Sequence, residues 1–146
     1  MNKVDTYWQE FCEQEGLKDV QYRDAFQFGV MADWLADLVA EGKKTATCSS
    51  YPIYEIEGEP LPQVGEYSIV LNSDDEPVAI IQETAVDIVP FNEIPEEFAL
   101  AEGEGDYENW YTGHLEFFTN YLEKFNLQFD ETMLTVCERF KKVYPK

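Results

Sequence analysis

The sequence predicts an α+β fold, in which a small, mostly antiparallel β-barrel has helices packed around it. Two observations lead to this prediction. The predicted elements run as helices, a cluster of strands, more helices and a closing strand, which is not the strand–helix alternation of a doubly wound sheet. Hydrophobic residues make up 45% and aromatic residues 15% of the 146 residues, which is enough for one sizeable core. We therefore expect a single domain over residues 1–146, with residues 1–24 as an N-terminal helical extension.

The first two helices are predicted from their caps and apolar spacing. Thr6 can cap a helix that continues to about Glu15, and Gly16 is a typical stop. The next helix is predicted from apolar residues with the i, i+3, i+4, i+7 spacing of an amphipathic helix. These residues are Phe28, Met31, Ala32, Leu35, Leu38 and Val39. Gly42 is the expected end of this helix.

The middle of the chain changes to residues that favour strands. Extended structure is predicted for residues 45–50, 51–57, 66–72 and 77–89. Proline and glycine between residues 58 and 65 indicate a loop, and the polar residues 73–76 indicate a turn. Beyond this region we expect a short helix over residues 95–101, a longer amphipathic helix that includes residues 110–125, and a last strand over residues 133–144.

The charge of the chain limits its partners. Ten Lys and Arg residues stand against 30 Asp and Glu residues, so the formal net charge is −20. Such a charge discourages contact with phosphate backbones and anionic membranes, so we expect no DNA and no membrane partner. A small, uncharged nucleoside suits the protein better than a long polyanion. The cations at residues 43–44 and at Arg139, Lys141 and Lys142 would form one positive patch if they met in space.

The cysteines and the N-terminus indicate a cytoplasmic protein. Three cysteines at wide spacing give neither a disulfide framework nor a metal-binding motif. Reduced thiols are the simplest interpretation, and we expect no cofactor. The N-terminal residues lack the apolar run of a signal peptide. The oligomeric state is not predicted.

The segment Glu-Gly-Lys-Lys-Thr-Ala-Thr-Cys-Ser at residues 41–49 places amines beside hydroxyls in an otherwise acidic chain. Thr47 can act as a nucleophile if Lys44 accepts its proton, which requires desolvation or nearby cations. The alternative is structural, since lysines after a helix favour its C-terminal dipole and threonines favour strands. In a regular strand Lys44 and Thr47 would face opposite sides, so the catalytic interpretation requires an irregular backbone.

Three acids and a histidine are further candidates. Glu102, Glu104 and Asp106 alternate with glycines, so they can supply an acid or a polar anchor, although Asp106 can equally cap the next helix. His114, the single histidine, is either an acid–base group or a packed residue. Arg139 can bind an anion or pair with one of the many acids.

Several segments resemble the ASCH-domain family, whose barrel is similar to that of the PUA RNA-binding domains. They include Gly-Lys-Lys-Thr-Ala-Thr at residues 42–47 and Glu-Pro-Leu-Pro at residues 59–62. Other segments are Val-Pro-Phe at 89–91, Ala-Glu-Gly-Glu-Gly-Asp at 101–106 and Val-Cys-Glu-Arg-Phe at 136–140. The resemblance implies a PUA-like barrel with a cleft beside the Lys-Thr segment, and members have been proposed to bind RNA.

A bacterial acetylcytidine amidohydrolase of the same superfamily uses a Lys and a Thr from a Lys-Thr-x-Thr segment and a Glu that follows an Ala by three residues. The resemblance implies the catalytic set Lys44, Thr47 and Glu102, with Ala99 three residues before the last. This chain has Cys48 and Ser49 where the relative has an Arg.

We therefore expect a cleft for a nucleoside-like or modified-base ligand, with amide hydrolysis by Lys44, Thr47 and Glu102. Further ligand contacts are expected from Lys43, Thr45, Glu104, Asp106, His114 and Arg139. The first alternative is an RNA-binding module or weak ribonuclease whose lysines touch phosphates. The second alternative is a protein-interaction domain without catalysis.

Overall fold

Five strands form one curled sheet and five α-helices pack around it in this computed structural model, which describes residues 2–29 and 31–146. The strands are β1 (Asp24–Gln27), β2 (Ala46–Ser50), β3 (Tyr67–Leu71), β4 (Pro77–Pro90) and β5 (Leu134–Tyr144). The helices are α1 (Lys3–Glu15), α2 (Ala32–Ala40), α3 (Tyr51–Glu57), α4 (Glu96–Ala101) and α5 (Tyr107–Glu123), with a 3₁₀ turn at Phe91–Glu93. None of the helices in the described ranges is long and apolar enough to cross a bilayer.

The sheet has the strand order β1-β3-β4-β5-β2. The pairs β3–β4, β4–β5 and β5–β2 are antiparallel, whereas β1 and β3 are parallel. Strands β1 and β2 form the two edges, so the sheet is an open half-barrel. These observations confirm the predicted α+β class with a mostly antiparallel, curled sheet.

The first helix begins earlier than its sequence pattern indicates. It starts at Lys3 because the side chain of Asn2, not that of Thr6, caps it by accepting a hydrogen bond of 2.8 Å from the Asp5 amide. Gly16 ends the helix in the left-handed conformation, as predicted. The buried face of α1 packs Trp8 and Phe11 against the sheet residues Ile69, Leu71 and Ile80.

The second helix is shorter than predicted. The helix predicted from Phe28 begins at Ala32 instead, and a short strand, β1, precedes it. Phe28 is buried but lies before the helix, while Met31 at the N-cap is 64% exposed. The apolar spacing therefore includes two residues, Phe28 and Met31, that lie before the helix. Its C-terminal half is confirmed, with Leu35, Ala36, Leu38 and Val39 buried.

Residues 51–57 form helix α3, and their prediction as a strand was wrong. Pro52 occupies the first turn of the helix, where a residue without an amide hydrogen costs nothing, and Gly58 closes the helix in the left-handed conformation. Only Ile53 of this helix is buried. The apparent alternation of apolar residues therefore reflected a short surface helix with one anchoring side chain.

The remaining elements agree with the prediction to within a few residues. Strands β3 and β4 form the expected hairpin about residues 73–76, and Ala79, Ile80 and Ile81 are buried as a strand covered on both faces requires. Asp106 caps α5 by accepting a 2.8 Å hydrogen bond from the Asn109 amide. Helices α2 and α5 both line a cavity beside the start of β2.

Candidate functional site

A cavity of about 300 Å³ lies beside the start of β2. Its lining comes from the segment before α2, from α2, from β2, from the loop after α4 and from α5. Apolar and aromatic side chains supply most of these walls. Its polar lining includes Lys44, Thr47, Cys48, Glu102, Glu104 and His114. A mostly apolar cavity with a few convergent polar groups is the usual form of a small-molecule site.

Lys44 is the central cation of the cavity and is only 2% exposed. Its ammonium donates to Glu102 Oε1 at 3.1 Å, to Glu104 Oε2 at 3.0 Å and to the Glu102 carbonyl oxygen at 3.4 Å. It also lies 5.2 Å from the ring centre of Phe28, within the range of a cation–π contact. The two carboxylates provide the charge compensation that a buried ammonium requires.

Glu102 is the most completely bonded acid of the site, with an exposed fraction of 1%. Its Oε1 accepts from Lys44, and its Oε2 accepts a 2.8 Å hydrogen bond from Trp110 Nε1. The Nε2 atom of His114 is 3.5 Å from Oε1. Burial by itself would raise the pKa of Glu102, but the hydrogen bond from His114 and the charge of Lys44 lower it to about 2. Glu102 is therefore a fixed carboxylate.

His114 is oriented from both sides. Its Nδ1 lies 2.9 Å from the carbonyl oxygen of Trp110, and its ring stacks on the Trp110 indole with the ring centres 4.5 Å apart. Burial opposes the charged imidazole, but hydrogen bonding to Glu102 and the charges of Glu102 and Glu104 raise the pKa of His114 above its usual value. His114 therefore supports the carboxylate form of Glu102.

Glu104 differs from Glu102 in its environment. Its side chain is 19% exposed, and Lys44 is its hydrogen-bond donor. Burial raises the pKa of Glu104, although the charge of Lys44 acts in the opposite direction. Glu104 is therefore the acid of this cluster that takes up a proton more readily.

Two backbone features bring Lys44 to these acids. Gly42 adopts a φ of +77°, which ends α2 and lets the amides of Lys43 and Lys44 both donate to the Leu38 carbonyl oxygen. Beyond this turn, the Thr45 amide donates to the carbonyl oxygen of Ala101 at 2.8 Å. The chain after α2 and the loop after α4 are thus joined directly, and the Glu102 and Glu104 carboxylates reach Lys44.

Thr47 and Lys44 line the same cavity. Strand β2 begins only at Ala46, so Lys44 lies in the turn and the alternation of a regular strand does not apply to the pair. The irregular backbone that the catalytic interpretation requires is therefore present. Cys48, the next residue, also lines the cavity, and burial raises its pKa well above the usual thiol value. A thiol in that state is a poor nucleophile.

Four of the predicted site residues, all within the described ranges, do not line this cavity. Lys43 is exposed and pairs with Glu41 at 3.1 Å, and Arg139 pairs with Glu97 at 2.6 Å. Thr45 is exposed and its hydroxyl donates to a main-chain carbonyl. Asp106 is the cap of α5, which was the structural alternative for it. The structure brings together Lys44, Thr47, Glu102, Glu104 and His114.

Three side chains of the cavity have atoms that ligate metals. Cys48, Glu102 and His114 each offer one such atom, and these atoms lie within 4.8 Å of one another. A cation there would lie close to the ammonium of Lys44, which donates to Glu102 Oε1 at 3.1 Å. The other Glu102 oxygen accepts from Trp110. Charge repulsion and occupied ligand atoms therefore oppose a metal at this position.

The sequence reasoning missed the aromatic part of the site. Trp110, which the sequence placed only on a long amphipathic helix, donates its indole N–H to the buried carboxylate of Glu102. Phe28, predicted as part of a helix, and Trp34, which was not singled out, both line the cavity. No local signal separated Phe28 from the helix, because α2 begins after Met31 without a side-chain cap.

Comparison with known proteins agrees with this fold. The family model described as the ASCH domain matches residues 24–144. The chain belongs to the ASCH-domain family. Its open half-barrel with surrounding helices is the ASCH fold. The α1 helix precedes the matched residues. No curated protein is similar enough to the chain to be matched to it.

Two crystal structures are similar to this ASCH protein over nearly their whole length. One is a protein of the DUF984 family from Enterococcus faecalis, with 42% identity, a TM-score of 0.87 and coverage of 97% of this chain and 92% of the other. The second is an ASCH domain from Lactobacillus crispatus, with 31% identity, a TM-score of 0.90 and coverage of 98% and 95%.

Proposed function

We propose that this ASCH protein binds a nucleoside-like molecule in the cavity and hydrolyses an amide on its base. The observation that carries the proposal is the convergence of Lys44, Thr47 and Glu102 on one partly enclosed, aromatic-walled cavity. Glu102 is 58 positions from Lys44 in the sequence, and the three residues are the set that the resemblance to the acetylcytidine amidohydrolase implies.

The proposed nucleophile is the hydroxyl of Thr47. Its oxygen attacks the amide carbon, so that a C–O bond forms while the hydroxyl proton passes to a base. Collapse of the adduct breaks the C–N bond, and the leaving amine takes that proton. Water then hydrolyses the acyl ester on Thr47, which releases the acid and restores the hydroxyl. No further reactant is needed.

The base is the amine of Lys44, formed when the ammonium transfers one proton to Glu104. Three acceptors bond the ammonium of Lys44, and an ammonium has no lone pair with which to accept the Thr47 proton. Glu104 is 3.0 Å away and has a pKa that burial raises, whereas the pKa of Glu102 is lowered to about 2. Glu102 therefore orients Lys44, and Glu104 takes the proton.

The distribution of cations favours a small molecule over RNA. Lys44 is buried, and two cations of the expected phosphate-binding patch are engaged with protein groups. Arg139 bonds Glu97, and Lys142 donates to the Ala40 carbonyl oxygen. Together with the net charge of −20, this arrangement supports an uncharged ligand.

The test is turnover of nucleosides with an acylated exocyclic amine, measured as released nucleoside by chromatography. We expect wild type and Thr45→Ala to be active, and Thr47→Ala to lose about 100-fold or more in kcat/KM. Thr45→Ala is the matched control, because Thr45 is exposed and lies outside the cavity. Glu104→Gln should also lose activity. An inactive wild type, or a Thr47→Ala variant as active as wild type, would contradict the proposal.

A further inference from the structure

One side of the cavity is apolar and partly open to solvent. Five side chains form this apolar wall: Phe28, Met31, Trp34, Leu35 and Phe117. Met31 is 64% exposed and Trp34 is 42% exposed, which makes them two of the seven large hydrophobic residues exposed among the described residues. Scattered exposed hydrophobics need no explanation, but two that border one cavity indicate apolar surface left for a ligand to cover.

The hydrogen-bonding groups of the cavity are concentrated around Lys44 instead. Lys44, Glu102 and Glu104 bond one another, and Trp110 and His114 complete the network. The side chains of the apolar wall offer no strong hydrogen-bonding group, apart from the indole N–H of Trp34. A sugar or a base edge placed on this wall would lose hydrogen bonds to water without replacement. The wall therefore suits a hydrocarbon group.

The apolar wall is larger than a small acyl group. Five side chains form it, three of them aromatic, whereas an acetyl group ends in a single methyl group about the size of a water molecule. With the amide placed at Thr47, an acetyl methyl would leave most of the apolar wall uncovered.

We infer that the apolar wall binds the acyl group, and that the protein prefers amides of large apolar acids, aromatic or medium-chain aliphatic, over acetyl amides. The inference rests on the proposed function, because it assigns the leaving acid of the same reaction. It adds a substrate class that the resemblance to an acetylcytidine amidohydrolase does not imply.

A series of acyl groups on one amine tests this inference. The probes are acetyl-, butanoyl-, hexanoyl- and benzoylcytidine, all acylated on the exocyclic amine, and the readout is kcat/KM. Each buried methylene should raise kcat/KM about fourfold until the wall is covered. Trp34→Ala should lower the benzoyl-to-acetyl ratio about tenfold. Ile56→Ala is the control, because Ile56 is 54% exposed but lies on α3 outside the cavity, and it should leave the ratio unchanged.

Binding to a Thr47→Ala variant separates this inference from the proposed function. Calorimetry with the same four compounds should show affinity rising along the series even without turnover. If wild type hydrolyses all four but shows equal or acetyl-favouring kcat/KM, the acyl preference is wrong while the amidohydrolase proposal stands. If nothing is hydrolysed, the amidohydrolase proposal fails, and the binding data then test the apolar wall separately. Affinity that is equal along the series, or absent, overturns the assignment of the apolar wall to the acyl group.

Discussion

Gly103 lies so close to the main chain of Lys43 that a β-carbon at residue 103 would be 2.7 Å from the Lys43 carbonyl oxygen. Gly103 also adopts a φ of +75°, a conformation that residues other than glycine rarely adopt. Because Gly103 approaches this backbone so closely, its two neighbours, Glu102 and Glu104, both reach the ammonium of Lys44. The geometry of the buried ion cluster therefore depends on a residue that has no side chain.

We expect Gly103→Ala to destabilise the fold by about 3 kcal/mol or more, because it adds a clash with rigid backbone to the cost of a positive φ. Gly42→Ala is the matched control, since Gly42 has a φ of +77° but open space around its β-carbon position. It should cost only about 1–2 kcal/mol. Urea unfolding measures both values. Equal losses would show that the close approach contributes nothing.

The buried pair of Lys44 and Glu102 gives a second prediction. Both side chains are 1% exposed, so Lys44→Met removes the cation that bonds both Glu102 and Glu104 and should cost about 3–5 kcal/mol. The double variant Lys44→Met, Glu102→Met should recover part of this loss. Lys43→Met is the control, because Lys43 pairs with Glu41 on the surface, and it should cost less than about 1 kcal/mol. A loss for Lys44→Met no larger than the control's would contradict a buried ion pair.

The titration of His114 gives a third prediction, which can be followed without assignment because the sequence contains one histidine. Its pKa in the folded protein should lie above 6.5, since Glu102 and Glu104 outweigh the effect of burial. In Glu102→Gln the pKa should fall below that of wild type, because burial then dominates. Glu104→Gln should lower it less. Proton NMR of the ring measures these values, and a pKa that Glu102→Gln leaves unchanged would exclude the pairing.

The neighbouring acids Glu83 and Glu138 give a fourth prediction, which concerns the pH dependence of the protein's stability. Burial, followed by a hydrogen bond with Glu138, raises the pKa of Glu83 from 4.5 to about 10, and the Oε2 atom of Glu83 has no partner among the described residues. Because the folded pKa lies above the unfolded one, the contribution of Glu83 to stability is complete below pH 4.5 and is lost as the pH rises through about 10.

Glu83→Gln removes this titration and should stabilise the protein at pH 8 by about 2 kcal/mol, with little effect at pH 4.5. Thermal or urea unfolding over this pH range measures the difference. Glu108→Gln is the control, since Glu108 is an exposed acid on α5. If the two variants show the same pH dependence, Glu83 does not carry a raised pKa.

Local sequence patterns predicted the structure correctly where residues close together in the chain define the end of a helix or a turn. Gly16 and Gly42 ended their helices as predicted, because a positive φ is available to glycine at low cost. The hairpin about residues 73–76 and the buried run at residues 79–81 also followed from turn residues and apolar content. Segments with less local information were misread, as the helix at residues 51–57 shows.

The sequence by itself determined the fold class, the family and the short list of polar residues, because caps, turns and apolar spacing are properties of neighbours along the chain. Only the tertiary structure decided which of those residues share a cavity. Lys44 and Glu102 are 58 positions apart, and Lys43, adjacent to Lys44, points to solvent. Long-range backbone contacts, such as the bond from the Thr45 amide to Ala101, set these directions, and no local pattern encodes them.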